Sequence, residues 1–90
     1  MSDTPEPPRI EFPCAYPIKV MGRNQDDFVE VVLAVGQRHA PEVTAANLTI
    51  RESRAGNWVS VTLTIEATGE AQLAAIFEDL KATGRVEMVL

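Results

Sequence analysis

The sequence predicts an α+β fold in which a four-stranded antiparallel sheet carries two helices on one face. Three observations support this prediction. The stretch 47–67 alternates apolar and polar residues on both sides of Gly56, which is typical of a β-hairpin with one buried face. Two segments, starting near residues 26 and 68, repeat apolar residues at helical spacing. Shorter alternating runs at 16–22 and 85–90 predict one strand before the first helix and one after the second.

The first strand is predicted at Tyr16–Gly22, with Ile18 and Val20 facing the core and Lys19 and Met21 facing the other way. The first helix should run from Asp26 to about His39, with Asn24 as its N-cap, and Pro41 should end it. Its apolar stripe has the spacing i, i+3, i+4, i+7 and consists of Phe28, Val31, Val32 and Val35.

The hairpin has two acceptable registers. A two-residue loop at Ala55–Gly56 or at Gly56–Asn57 places Leu48 and Ile50 opposite apolar residues of the second strand, because paired residues share a face. Gly and Asn tolerate the positive φ that such loops need. The sequence alone leaves both registers open.

The second helix is predicted to begin at Thr68 as its cap and to end before Gly84, a residue suited to left-handed backbone. Its stripe is Leu73, Ile76, Phe77 and Leu80. The last strand, Arg85–Leu90, is expected to place Val86, Met88 and Leu90 on one face, with Glu87 and Val89 on the other.

The element order is therefore β-α-β-β-α-β. With right-handed crossovers this order gives a ferredoxin-like sandwich with strand order 4-1-3-2. Residues 13–90 should form this single domain. Residues 1–12 contain Pro5, Pro7 and Pro8 among polar residues, and we expect a flexible N-terminal tail there.

Composition narrows the classes of function. Eight basic and 13 acidic residues give a formal net charge of -5, which argues against a nucleic-acid partner. No apolar run approaches the length that spans a bilayer, and the start lacks the pattern of a secretion signal. A single Cys14 is typical of a reducing compartment. We therefore expect a cytoplasmic protein that does not act on membranes.

Residues that could carry catalysis are few. The sequence has one Cys and one His, and nothing in it brings Cys14 and His39 together as nucleophile and base. No paired Cys and His spacing predicts a metal site. We expect no enzyme, no cofactor and no catalytic residue.

Two surfaces remain as candidate sites. The connection between the first strand and first helix combines a glycine with a helix N-terminus and two carboxylates, which suits a zwitterion such as an amino acid. Its residues are Gly22, Arg23, Asn24, Asp26 and Asp27. The sheet face away from the helices is polar and suits a protein partner or self-association, as does a free sheet edge. Its residues are Lys19, Arg51, Ser53, Ser60, Thr62 and Thr64.

Several short motifs cover nearly all of the chain from residue 11 onward. They are 11–13 (EFP), 19–22 (KVMG), 37–41 (QRHAP), Ser53 with 56–57 (GN), 60–61 (SV), 64–65 (TI), 67–68 (AT) and 88–90 (MVL). In these motifs the chain resembles the YbeD-like family of small bacterial proteins of unknown function. The resemblance implies a ferredoxin-like fold similar to ACT regulatory domains, which bind small ligands at the loop that Gly22 occupies here.

From these observations we expect a non-enzymatic regulatory or adaptor module with an ACT-like small-molecule site. The alternative is a protein-interaction module that acts through the exposed sheet face or a sheet edge, including homodimerisation.

Overall fold

A computed structural model describes residues 11–90, and it has the predicted order of elements. The strands are β1 (Cys14–Arg23), β2 (Leu48–Glu52), β3 (Trp58–Ala67) and β4 (Val86–Val89), and the helices are α1 (Phe28–His39) and α2 (Glu70–Ala82). The sheet order is β2-β3-β1-β4, which is the predicted order 4-1-3-2 viewed from the opposite edge. All three strand pairings are antiparallel. The predicted α+β fold is confirmed.

The predicted tail, 1–12, falls mostly outside the described residues. Of its last two residues, Phe12 is half-buried and packs against the core.

The core lies between the two helices and one face of the sheet. Alternate residues of β1 and β3 face the helices, and Ile18, Val20, Val61 and Leu63 are fully buried there. The helices cover them with buried residues at helical spacing. These are Phe28, Val32, Val35 and Gly36 of α1, and Leu73, Ile76 and Leu80 of α2. The two other predicted stripe residues, Val31 and Phe77, are half-buried.

The hairpin adopts the register predicted for a loop at Ala55–Gly56. Leu48 pairs with Leu63 and Ile50 with Val61. The Ser53 N–H donates to the Trp58 carbonyl at 2.8 Å and closes the loop, in which Gly56 has a φ of 77°. Glycine suits this position because its missing Cβ removes the steric cost of positive φ.

Three local predictions differ from the structure. The N-cap of α1 is Asp27 rather than Asn24, and the N-cap of α2 is Gly69 rather than Thr68. Both predicted caps make other bonds. The Asn24 side chain donates to the Gly56 carbonyl, and the Thr68 N–H donates to the Gln72 side chain.

The third difference is the face assignment in β4. Val20 pairs with Val89 and Met21 with Met88, but Gly22 pairs with Val86, so the register shifts by one residue at a β-bulge. Val86 and Val89 therefore both lie on the helix side and pack against the core. Met88 lies on the opposite face. Leu90 exchanges backbone hydrogen bonds with Lys19, so it shares that residue's face.

Candidate functional site

Within residues 11–90, neither helix covers the second face of the sheet, and we call this face the open face. Its members follow from the strand register, because directly paired residues point to the same side of a sheet. The open face consists of Ala15, Pro17, Lys19, Met21, Arg23, Thr49, Arg51, Ser53, Trp58, Ser60, Thr62, Thr64, Glu66, Met88 and Leu90.

The six residues predicted as an interaction surface all lie on the open face. Lys19 pairs with Thr62, and Ser60 pairs with both Arg51 and Met21. The Ser53 hydroxyl accepts a hydrogen bond from the Trp58 N–H at 3.1 Å and so helps to fix the end of the hairpin. Thr64 lies further along β3, opposite Pro17. The structure thus brings these side chains together on one surface, and their role in binding stays a prediction.

Sequence reasoning missed two apolar residues of this surface, Met88 and Leu90. Trp58, Met88 and Leu90 have exposed fractions of 44%, 49% and 65% and all lie on the open face, whereas Ile50, which is 49% exposed, lies on the helix side of the sheet. Alternation along 85–90 had placed Met88 and Leu90 with the core residue Val86. The bulge reverses that assignment, so the open face is apolar as well as polar.

A shallow depression of about 230 Å³ lies at the hairpin end of the open face. The open-face residues that line it are Met21, Arg51, Ser53, Trp58 and Ser60, and Glu52 and Val59 complete it. The guanidinium of Arg23 lies 5.1 Å from the centre of the Trp58 ring, a cation–π distance. This contact favours a position of the indole beside the depression.

The β1–α1 loop, the predicted ligand site, is tied to the rest of the chain. The Asn24 N–H donates to the Asn57 carbonyl at 2.9 Å, and its side chain donates to the Gly56 carbonyl at 2.9 Å. Both bonds join this loop to the hairpin loop. Gly22 is buried, and a Cβ placed on it would lie 2.5 Å from the Arg85 carbonyl oxygen.

The two carboxylates of this loop differ in their surroundings. Asp27 accepts a hydrogen bond from Arg85, which also donates to the Gln25 side chain at 2.8 Å. The bond from Arg85 holds the pKa of the Asp27 carboxyl below its ordinary value, and the same bond raises the pKa of Arg85. Asp26 is exposed. Arg23 turns to Trp58, so the side chains of Arg23, Asn24 and Asp27 point to three different neighbours.

Cys14 and His39 contact different parts of the protein. Cys14 pairs with Ala67 on the helix side of the sheet and is half-buried against the core. His39 Nε2 lies 2.5 Å from Asp79 Oδ2, and Arg38 reaches the same oxygen at 3.3 Å. The hydrogen bond from His39 is the main reason that the pKa of Asp79 is lowered. Among residues 11–90 no hydrogen bond joins Cys14 to His39.

Within residues 11–90, no three His, Cys, Asp or Glu side chains come together in a way that could hold a metal ion. Neither α1 nor α2 has the length and apolarity needed to cross a membrane.

The fold and the open face together define a small ferredoxin-like α+β protein with one uncovered, partly apolar sheet surface. A family model described as "Protein of unknown function (DUF493)" matches residues 7–90. The chain belongs to this family, whose curated members carry the name UPF0250. The predicted resemblance to small bacterial proteins of unknown function is confirmed.

Relatives and a solved structure agree with this assignment. The chain is 55% identical over 86 residues to a UPF0250 protein of Ectopseudomonas mendocina, which covers 94% of each chain. It is 50% identical over 93 residues to a UPF0250 protein of Pseudomonas aeruginosa, which covers 100% of both. The solution structure of protein HP0495 from H. pylori superposes with a TM-score of 0.71 at 19% identity and covers 100% of this chain and 94% of that one. At this identity the likeness shows the fold alone.

Proposed function

We propose that this chain is a non-enzymatic adaptor that binds a partner protein through the open face of its sheet. The observation that carries the proposal is that three large apolar side chains, Trp58, Met88 and Leu90, are exposed on the open face, which neither α1 nor α2 covers. Aromatic and Met side chains are enriched in protein interfaces relative to other surfaces. Neighbouring Ser and Thr rows supply hydrogen-bonding groups around them.

The position of Trp58 at the hairpin end of the open face supports the same proposal. Trp58 borders the depression, and its contact with Arg23 reduces the side-chain entropy that is lost when a partner contacts the indole. Rigid aromatic residues beside a pocket are typical anchors of protein interfaces.

Site-specific photocrosslinking in living cells tests the proposal. A benzophenone amino acid placed at Thr49, which is exposed on the open face, should give discrete crosslinked products. The same group at Ala74, exposed on α2, is the matched control and should give none. A product of twice the mass of the chain would identify self-association, and other masses identify a different protein. Products from Ala74 alone, or from neither position, would contradict the proposal.

The second candidate is an ACT-like small-molecule site at the β1–α1 loop, as the fold resemblance implies. What favours it is the exposed Asp26 beside the N-terminus of α1. Ligand that binds only the folded state raises the melting temperature by mass action. A thermal-shift titration with amino acids tests this candidate, and an unchanged melting temperature at millimolar concentration of each of them would exclude it.

A further inference from the structure

The side-chain charges of the open face have the opposite sign to the chain as a whole. The formal net charge of the chain is -5. The open face nevertheless carries three cations, Lys19, Arg23 and Arg51, and one carboxylate, Glu66. All three cations are exposed, and among residues 11–90 none of them forms an ion pair. Three cations thus share this face, and no carboxylate among residues 11–90 is paired with any of them.

Two of the cations lie beside Trp58 or the depression that it lines, whereas Glu66 lies far from Trp58. Arg23 pairs with Trp58 in the sheet, and Arg51 lines the depression. Glu66 is eight residues further along β3 than Trp58, a separation of about 27 Å at ~3.4 Å per residue. Glu52 borders the depression, but its pairing with Val59 places it on the helix side of the sheet. The hairpin half of the open face is therefore positive.

The depression has room for one side chain. An engineered apolar cavity of about 150 Å³ binds benzene, and the depression beside Trp58 measures about 230 Å³. An apolar group seated there would contact Met21 and the indole while lying within reach of Arg51 and Arg23.

From these observations we propose that the partner presents an acidic peptide segment with one large apolar side chain. The apolar side chain occupies the depression beside Trp58, and flanking carboxylates meet Arg51, Arg23 and Lys19. This inference rests on the proposed function and specifies the chemistry of the partner. Opposite charges across an interface favour both encounter and register.

Two other occupants fit the charges less well. A second copy placed face to face would bring two sets of three cations together, and like charges across an interface are unfavourable. Single-stranded RNA needs exposed aromatic faces for base stacking. Here Arg23 already covers one face of Trp58, and the central positions of β3 are Ser60 and Thr62.

Selection from a random library of displayed 12-residue peptides tests the inference, because the composition of the selected peptides is itself the result. We expect sequences rich in Asp and Glu around one large apolar residue. The full-length chain should bind them less tightly as salt rises from ~50 to ~300 mM. Arg51→Glu should weaken binding by about tenfold or more. The matched control is Lys81→Glu, the same charge change at an exposed residue of α2, and it should change binding by less than about twofold.

Other results would overturn the inference in distinguishable ways. Neutral or basic peptides that lose binding to Trp58→Ala but not to Arg51→Glu would refute the acidic partner and leave the proposed function standing. If neither Trp58→Ala nor Arg51→Glu changes the binding of the selected peptides, or if no peptide is selected at all, the acidic partner and the proposed function are both refuted. Tighter binding of poly(U) than of any peptide, lost in Arg51→Glu, would replace the protein partner with RNA. Unchanged melting temperatures of the variants would show that folding is intact.

Discussion

Replacement of Gly22 by alanine is expected to lower the free energy of unfolding by about 3 kcal/mol, the upper range for overpacking a tight core. The added Cβ would lie 2.5 Å from the Arg85 carbonyl oxygen and 2.5 Å from Cε2 of Phe28. The oxygen belongs to the backbone that leads into β4, and Phe28 is only 1% exposed, so neither can move aside freely. Urea denaturation followed by circular dichroism measures the loss.

Two other glycines give a graded set of controls for Gly22→Ala. A Cβ on Gly69 meets nothing within 4 Å, so Gly69→Ser should leave stability within about 0.5 kcal/mol of the wild type. A Cβ on Gly36 would lie 2.9 Å from Cδ2 of Leu63, the end of a flexible side chain, and Gly36→Ala should have an intermediate effect. Equal free energies of unfolding for Gly22→Ala and Gly69→Ser would show that β1, α1 and β4 are not tightly packed around Gly22.

The second large effect is expected at Leu63, which is fully buried in the middle of β3. Leu63→Ala should lose about 3 to 4 kcal/mol, since a cavity remains where the side chain was. That is a large share of the ~5–15 kcal/mol by which small domains are stable. The measurement is equilibrium unfolding in urea at micromolar protein, with fluorescence of the single Trp58 as a second probe.

The neighbouring Thr62 is the matched control, because it belongs to the same strand and points to the opposite face. Thr62→Ala should change the free energy of unfolding by less than about 0.5 kcal/mol if the open face is uncovered in solution. A loss comparable to that of Leu63→Ala would mean that the open face is packed against something in the isolated protein. The comparison therefore also tests a premise of the proposed function.

The fold was predictable from sequence because its strongest signals are local. The apolar stripes that begin at Phe28 and Leu73 have helical spacing, and apolar and polar residues alternate along the hairpin strands. The buried face of each of these elements can therefore be predicted from its own residues. The order of the elements then leaves few topologies. The alternation of apolar and polar residues is the same for both hairpin registers, so it does not decide between them. The choice depends on the hydrogen bond between Ser53 and Trp58 that closes the loop.

The candidate site was predictable only in part. The polar residues of the open face follow from alternation, and all six lie where expected. Met88 and Leu90 were missed because the bulge in β4 depends on pairing with Gly22 of a distant strand. Likewise Asn24 has the residue type of a helix cap, but the hairpin loop, remote in sequence, offers its side chain an acceptor. Contacts between segments far apart in the chain decided both outcomes.

The contact between Arg23 and Trp58 has a consequence for both candidate surfaces. Arg23 is the residue after Gly22 in the β1–α1 connection, and its guanidinium covers the indole of the open face. The next residue, Asn24, is bonded to the hairpin tip through backbone and side chain. The two candidate surfaces thus share Arg23, and a substitution of this residue alters both of them at once.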